Sequence, residues 1–160
     1  MERAQAVWVI PVTLMVALLL HAAPLPFEWR WFRPELPLLV LFYWVLALPQ
    51  RVGLLSAAVI GIGIDLLEGS ALGGLALGLV VSTLVLLFTY QRIRQFNLFQ
   101  QCLLMGLLIA LALTVENWVH KFMALPTGGM QFLWPALVSM PFWAVIRKPL
   151  RGLRRYYGVT

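Results

Sequence analysis

Apolar residues in this chain gather into six runs, each closed off by proline, glycine or charge. They define six expected helices over residues 7–23, 36–50, 52–67, 71–90, 99–122 and 131–146. A helix needs about 20 residues to cross a hydrocarbon core of about 30 Å, and about 17 at the lower limit. The first, fourth and fifth runs meet that requirement. The second has only the apolar stretch 36–48 and must borrow from 31–37 or from Pro49-Gln50, and the third and sixth are also short. Local bilayer thinning, or burial behind neighbouring helices, is expected for these. The pattern predicts an all-α polytopic membrane bundle of six transmembrane helices, one domain over 1–160, with a basic tail at 147–160.

Composition strengthens this reading. Of 160 residues, 62% are hydrophobic and 11% charged, and the mean hydropathy is +0.89. A soluble globular domain is nearer 45–50% apolar and about 25% charged, and a small fold has too much surface to hide such an excess. Lipid is the expected solvent. The residues near the start resemble a signal peptide, with Glu2 and Arg3, an apolar stretch and Ala22-Ala23. However, Pro24 would follow the cut and His21 would occupy a position that wants a small side chain, so a retained first span is expected. The single cysteine, Cys102, lies in an apolar run and reads as a packing residue.

Charge then sets the orientation. With the amino terminus inside and six crossings, the cytoplasmic segments hold Arg3, Arg51, Arg92, Arg94, Arg147, Lys148, Arg151, Arg154 and Arg155. The other side holds Arg30, Arg33 and Lys121. This asymmetry follows the positive-inside rule and predicts a multi-pass inner-membrane protein with both termini cytoplasmic. Of the acids only Glu2 lies inside; Glu28, Glu35, Asp65, Glu68 and Glu116 lie toward the outer face. Segment 24–35 carries Phe27, Trp29, Trp31 and Phe32, and such amphipathic rings favour the headgroup level.

Small residues recur every four positions: Gly53, Ala57, Gly61, Asp65, Gly69 and Gly73, then Gly74, Gly78 and Ser82, then Cys102, Gly106, Ala110 and Thr114. Residues at this spacing share a helix face, and in lipid such faces let backbones approach closely. The face of Gly53, Ala57, Gly61, Gly74 and Gly78 either packs within the bundle or receives a helix from another protein. Asp65 sits about 20 Å along the third helix, at 1.5 Å per residue. An acid near mid-helix costs on the order of 2.5–3.5 kcal/mol on insertion scales, so it needs a partner. Two roles fit. Asp65, Glu68, His21, Glu116, Asn117 and His120 form an outer polar cluster open to a ligand or partner, or Asp65 ties down the turn at 68–71 by hydrogen-bonding backbone that lipid cannot satisfy.

Covalent chemistry finds no support. Glu116-Asn117-x-x-His120 has one histidine where the zinc helix needs two, four apart, and no nucleophile elbow or phosphate-cradling glycine loop is present. No catalytic residue, metal site or cofactor is expected. The tail residues Arg147, Lys148, Arg151, Arg154 and Arg155 fit attraction to anionic lipids, at about 1 kcal/mol each near the surface. Contact with an acidic cytoplasmic protein is the sharper alternative; nucleic acid is not an expected partner, because no folded module accompanies the charge.

Two stretches carry a family resemblance. Arg33-Pro34-Glu35, then Leu41-Phe42-Tyr43-Trp44-Val45-Leu46-Ala47-Leu48-Pro49 with Arg51 and Gly53, resembles the second-helix signature of MreD, the bacterial rod shape-determining membrane proteins. Asp65-Leu66-Leu67-Glu68-Gly69-Ser70-Ala71-Leu72-Gly73, followed by Ala76-Leu77, resembles that family's turn between the third and fourth helices. Glu35 departs from the family's usual aspartate but keeps the charge. The resemblance implies a non-enzymatic scaffold of the cell-elongation (rod) complex, maintaining cell shape through lateral peptidoglycan synthesis. Its implied partners are an MreC-like single-span protein, a RodA-type glycosyltransferase with a class B penicillin-binding protein, and the MreB filament. It makes Asp65, Glu68, Gly69, Leu72 and Gly73 the expected structural or partner motif. It also links the fold to the substrate-binding components of energy-coupling-factor transporters, so a small-solute-capturing subunit is the rival reading. That rival requires a closed cavity lined by Asp65, Glu116 and aromatics.

Overall fold

A helix that is apolar on every side must be buried on every side, and one segment of this chain meets that condition completely. In the computed structural model, which describes residues 6–159, helix α2 (Leu36–Ala47) has no polar side chain except the tips of Tyr43 and Trp44. Every residue from Pro37 to Ala47 is buried. Pro37 stands in the first turn, where its missing N–H removes no helical bond. At 1.5 Å per residue this helix is only about 18 Å long, and it is the axis around which the other five are arranged.

Those five are α1 (Val9–Ala22), α3 (Leu54–Glu68), α4 (Gly74–Ile93), α5 (Leu98–Phe122) and α6 (Trp134–Tyr156). Short 3-10 segments at Phe27–Phe32 and Met130–Leu133 join α1 to α2 and α5 to α6. No strand occurs among the described residues. Met1, Glu2, Arg3 and Thr160 lie outside the described residues.

Side-chain contacts show that successive helices run in opposite directions. At one end, His21 near the close of α1 meets Glu68 at the close of α3, 2.9 Å away. The Glu35 backbone N–H, just before α2, donates to Ser139 Oγ in the first turns of α6 at 2.9 Å. Gly74, opening α4, lies beneath Glu116 and His120 of α5. At the other end, Arg94 beyond α4 reaches the closing carbonyls of α2. Gln101 of α5 donates to the Ile93 carbonyl at 3.0 Å, and the Trp8 and Tyr157 rings meet 5.3 Å apart. The result is an up-down bundle of six helices.

Its exterior is oily. Leu55, Phe88, Phe99 and Phe122 are all more than three-quarters exposed, where a water-soluble protein would not gather such residues. Helices α4 and α5 are long and apolar enough to cross a bilayer, and α1 is a shorter apolar helix. The Phe27–Phe32 segment buries none of its residues. Phe27, Trp29 and Phe32 project outward, with Phe32 6.0 Å from the Trp134 ring.

Three helices differ from the hydropathy pattern by three residues or more, α4 by a shift from 71–90 to Gly74–Ile93. The second helix stops at Ala47 and a turn follows, with the N–H groups of Arg51 and Val52 both donating to the Leu48 carbonyl at 3.0 Å. The sixth begins at Trp134 and continues to Tyr156, through Pro149. Arg147, Lys148, Arg151, Arg154 and Arg155 therefore lie on the last turns of α6 and not on a tail beyond it. Hydropathy ends a span where apolar residues stop, whereas the hydrogen-bonded ladder continues into polar sequence.

The small-residue faces pack inside the bundle. A side chain at Gly61 would fall on the backbone of Ala76, and one at Gly78 on the backbone of Ala112, so the α3–α4 and α4–α5 contacts are backbone to backbone. Ala57 has no exposed surface. Gly53, by contrast, has nothing within 4 Å of an added Cβ. Overpacking costs about 1–3 kcal/mol where neighbours can yield, and backbone yields least. Gly61→Leu and Gly78→Leu are therefore expected to lower the melting temperature in detergent and the yield of monodisperse protein, whereas Gly53→Ala leaves both unchanged; differential scanning fluorimetry and size-exclusion chromatography measure this.

Candidate functional site

The amino terminus of α4 presents a local difficulty. Its cap position is Gly73, with φ of 95°, a left-handed conformation that suits glycine. Glycine has no side chain with which to satisfy the free N–H groups of the first turn. Asp65, from the preceding helix, does so. Its Oδ2 accepts from the Gly73 N–H at 2.9 Å and the Ala76 N–H at 3.5 Å. Its Oδ1 accepts from the Leu75 N–H at 3.2 Å and Ser70 Oγ at 3.1 Å. The negative charge also faces the positive end of the α4 dipole. Gly69, with φ of 64°, closes α3 and turns the chain so that Asp65 can reach. Asp65 has no exposed surface.

The two roles open for Asp65 are thereby separated. Its carboxylate is engaged by four donors and faces no open space, so it does not line a ligand cavity. Within the same turn Leu72 is 62% exposed and points away from the bundle, and Glu68 turns instead toward α1.

The remaining outer polar residues form two groups. His21 is 2% exposed and stands between two carboxylates, with Nε2 2.9 Å from Glu68 Oε1 and Nδ1 3.9 Å from Glu35 Oε2. Burial pushes the Glu35 carboxyl up to about 7, ahead of the opposing pull of His21. In the second group, Glu116 and His120 lie one turn apart on α5, 3.9 Å from each other, against Gly74. Asn117 is buried beside them. His21 Nδ1 and His120 Nε2 have no partner at hydrogen-bond distance. Among the described residues no group of three or more His, Cys, Asp or Glu is disposed to hold a metal ion. Among the described residues no serine, threonine or cysteine is hydrogen-bonded to either histidine. The first group, with the Glu35–Ser139 bond, joins α1, α2, α3 and α6 at one end, and the second packs α5 against the start of α4.

The opposite end is basic and holds residues that the motifs did not single out. Arg94 donates to the Leu46 carbonyl from Nε at 2.9 Å, and its Nη2 reaches the carbonyls of both Leu46 and Ala47. Gln101 donates to the Ile93 and Phe96 carbonyls at 3.0 and 3.2 Å and accepts from Trp143 Nε1 at 3.4 Å. One signal for Arg94 was present in the sequence. Pro49 follows the second helix and has no N–H, so the last carbonyls of that helix need a donor from elsewhere. Nothing local in the sequence indicates Gln101 or Ser139.

Removing the Asp65 carboxylate leaves buried N–H groups without an acceptor, at about 1–3 kcal/mol each. Asp65→Ala is expected to cost on the order of 3 kcal/mol and to destabilise more than Glu68→Ala, whose carboxylate is partly exposed. Melting curves of the two variants in the same detergent compare them.

Known proteins agree with the two signatures. The family described as rod shape-determining protein MreD matches residues 2–153. The rod shape-determining protein MreD of Haemophilus influenzae is 36% identical over 141 residues, covering 88% of this chain and 87% of that protein. No solved structure matches. The capping turn with its Asp65, the buried second helix and a match over nearly the full length converge: this chain belongs to the MreD family of rod shape-determining proteins.

Proposed function

We propose that this protein is a non-enzymatic scaffold in the bacterial inner membrane, crossing it six times with both termini cytoplasmic. In this reading it organises the cell-elongation complex around lateral peptidoglycan synthesis. Its intramembrane partner is the single helix of an MreC-like protein, and a RodA-type glycosyltransferase, a class B penicillin-binding protein and the MreB filament are further members of the assembly. The observation that carries the reading is family membership together with a bundle whose polar groups serve its own helix ends. The rival reading, a solute-capturing subunit like the substrate-binding components of energy-coupling-factor transporters, requires a ligand cavity lined by Asp65, and the enclosure of Asp65 weighs against it.

Topology supports the orientation. Up-down alternation puts the ends of α2, α4 and α6 on one side, and with them Arg94, Arg147, Lys148, Arg151, Arg154 and Arg155. The described acids lie at the other end. A basic cytoplasmic side is what the positive-inside bias selects.

Small-residue faces are occupied within the bundle, so the surface proposed for a partner helix is elsewhere. An apolar groove of about 530 Å³ runs between α1 and α3, lined by Leu14, Leu18, Leu55, Ser56, Val59 and Gly63 among others. Small Ser56 and Gly63, seven apart on one face of α3, allow close approach of a helix backbone.

Val59 is 61% exposed on the rim, so Val59→Trp is expected to obstruct the groove without disturbing the core. Affinity purification in mild detergent should then recover at least about tenfold less of the MreC-like partner, a loss of about 1.4 kcal/mol, with an unchanged melting temperature. Phe88→Trp, equally outward on α4, should recover it normally. Equal recovery with both variants refutes the groove. A reporter fused after Thr160 should be active only in the cytoplasm; activity outside overturns the topology.

A further inference from the structure

At the basic end, a cavity of about 300 Å³ opens between the end of α2, the end of α4, the start of α5 and the last turns of α6. Its walls carry Arg94, Arg147, Arg151 and Arg154, and its floor carries Tyr43 and Trp143. Arg147, Arg151 and Arg154 follow a spacing of four and three, so one face of α6 turns all three guanidiniums into the same concavity. Lys148 and Arg155 are exposed and do not line it.

The charge in this cavity has no acidic counterpart among the described residues. The described acids, Glu28, Glu35, Asp65, Glu68 and Glu116, all belong to the opposite end of the bundle. No ion pair among the described residues involves these arginines. Arg94 is occupied by the α2 carbonyls. Arg154 bonds to the Val159 carbonyl at 3.3 Å and lines the cavity beside Tyr43. Arg147 and Arg151 make no ion pair among the described residues. Like charges held in one cavity repel, and an anion seated between them relieves that repulsion. Guanidinium forks match the oxygens of phosphate in pairs. Tyr43 and the buried Trp143 place an apolar, partly hydrogen-bonding floor below, and the cavity lies where the apolar length of α6 gives way to charge, between Ile146 and Arg147.

We propose that this cavity is a binding site for a phosphate-bearing anion, with Arg147 and Arg151 as the primary ligands and Arg154 and Tyr43 fixing the floor. Its position at the end of the apolar helices favours the headgroup phosphate of an anionic phospholipid as the source. Only that lipid assignment rests on the membrane topology proposed above; the phosphate chemistry does not, and no partner protein enters the test.

Full-length protein in dodecyl maltoside is titrated with dioleoylphosphatidylglycerol, with neutral dioleoylphosphatidylcholine, and with inorganic phosphate, following the melting temperature and lipid retention by native mass spectrometry. A saturable rise is expected with phosphatidylglycerol and none with phosphatidylcholine. The pair Arg147→Gln and Arg151→Gln should weaken the apparent affinity at least about tenfold, whereas Lys148→Gln with Arg155→Gln, equal in charge removed, should stay within about twofold. Inorganic phosphate reproducing the arginine-dependent rise assigns the site to a soluble phosphate; failing to reproduce it assigns the site to the lipid, and both outcomes support the cavity. Should the glutamine pair fail to fold, Arg147→Lys with Arg151→Lys keeps the charge and removes the fork, and at least about threefold weaker binding is expected. The proposal is overturned if both glutamine pairs weaken binding alike, if the lysine pair binds as tightly as the parent, if neither probe shifts the melt, or if hexaglutamate alone gives the arginine-dependent rise.

Discussion

A helix end in an apolar environment has backbone groups that nothing in the surroundings can satisfy, and the way this protein meets that constraint governs the rest of its structure. The turn between α3 and α4 needs left-handed backbone at Gly69 and Gly73, and that choice strips the α4 cap position of any side chain. Asp65, one turn before the end of α3, supplies the missing acceptor from across the turn. Arg94 performs the converse service for α2, whose closing carbonyls precede a proline and have no local donor. An anion sits at a helix amino terminus and a cation at a carboxy terminus, each in the orientation that the helix dipole favours.

This arrangement explains how so apolar a chain accommodates its buried charges. A carboxylate enclosed in protein is costly when isolated but not when backbone N–H groups converge on it. The same bonds fix α4 against α3, and with Gly61 and Gly78 they permit the backbone-to-backbone contacts that follow along both interfaces. Asp65 and the His21–Glu68 pair therefore act as fasteners between helices. The His21–Glu68 and Glu35–Ser139 contacts extend that layer across α1, α2 and α6.

Much of this was legible before the coordinates. Six apolar runs gave six helices, because hydrophobic length is a property of composition alone. The interval of four among small residues foretold close packing, and the cost of Asp65 foretold that it must have partners. Which partners could not be read, because Asp65 had two physically adequate solutions and only the turn geometry at Gly69 and Gly73 separates them. The true length of α6 was hidden for a different reason. Hydropathy responds to side chains, and the ladder of α6 runs on through Arg147 and past Pro149 to Tyr156. Gln101, Ser139 and Arg94 were obscure because each serves a helix distant in sequence.

The continuity of α6 changes what its basic residues can be. On a loose tail, five cations would act as a diffuse charge and their order would be immaterial. On a helix their phase matters. Arg147, Arg151 and Arg154 fall on the face that Trp143 and Leu150 hold against the core, whereas Lys148 and Arg155 project from the protein. The phase of the helix thus gathers three of the charges at one concavity, and the same short basic sequence contains both a shaped surface and a general one. The rigid helix also ties the shaped surface to Ser139 and Glu35 at the opposite end, so the bundle carries an ordered charge pattern at each of its two ends.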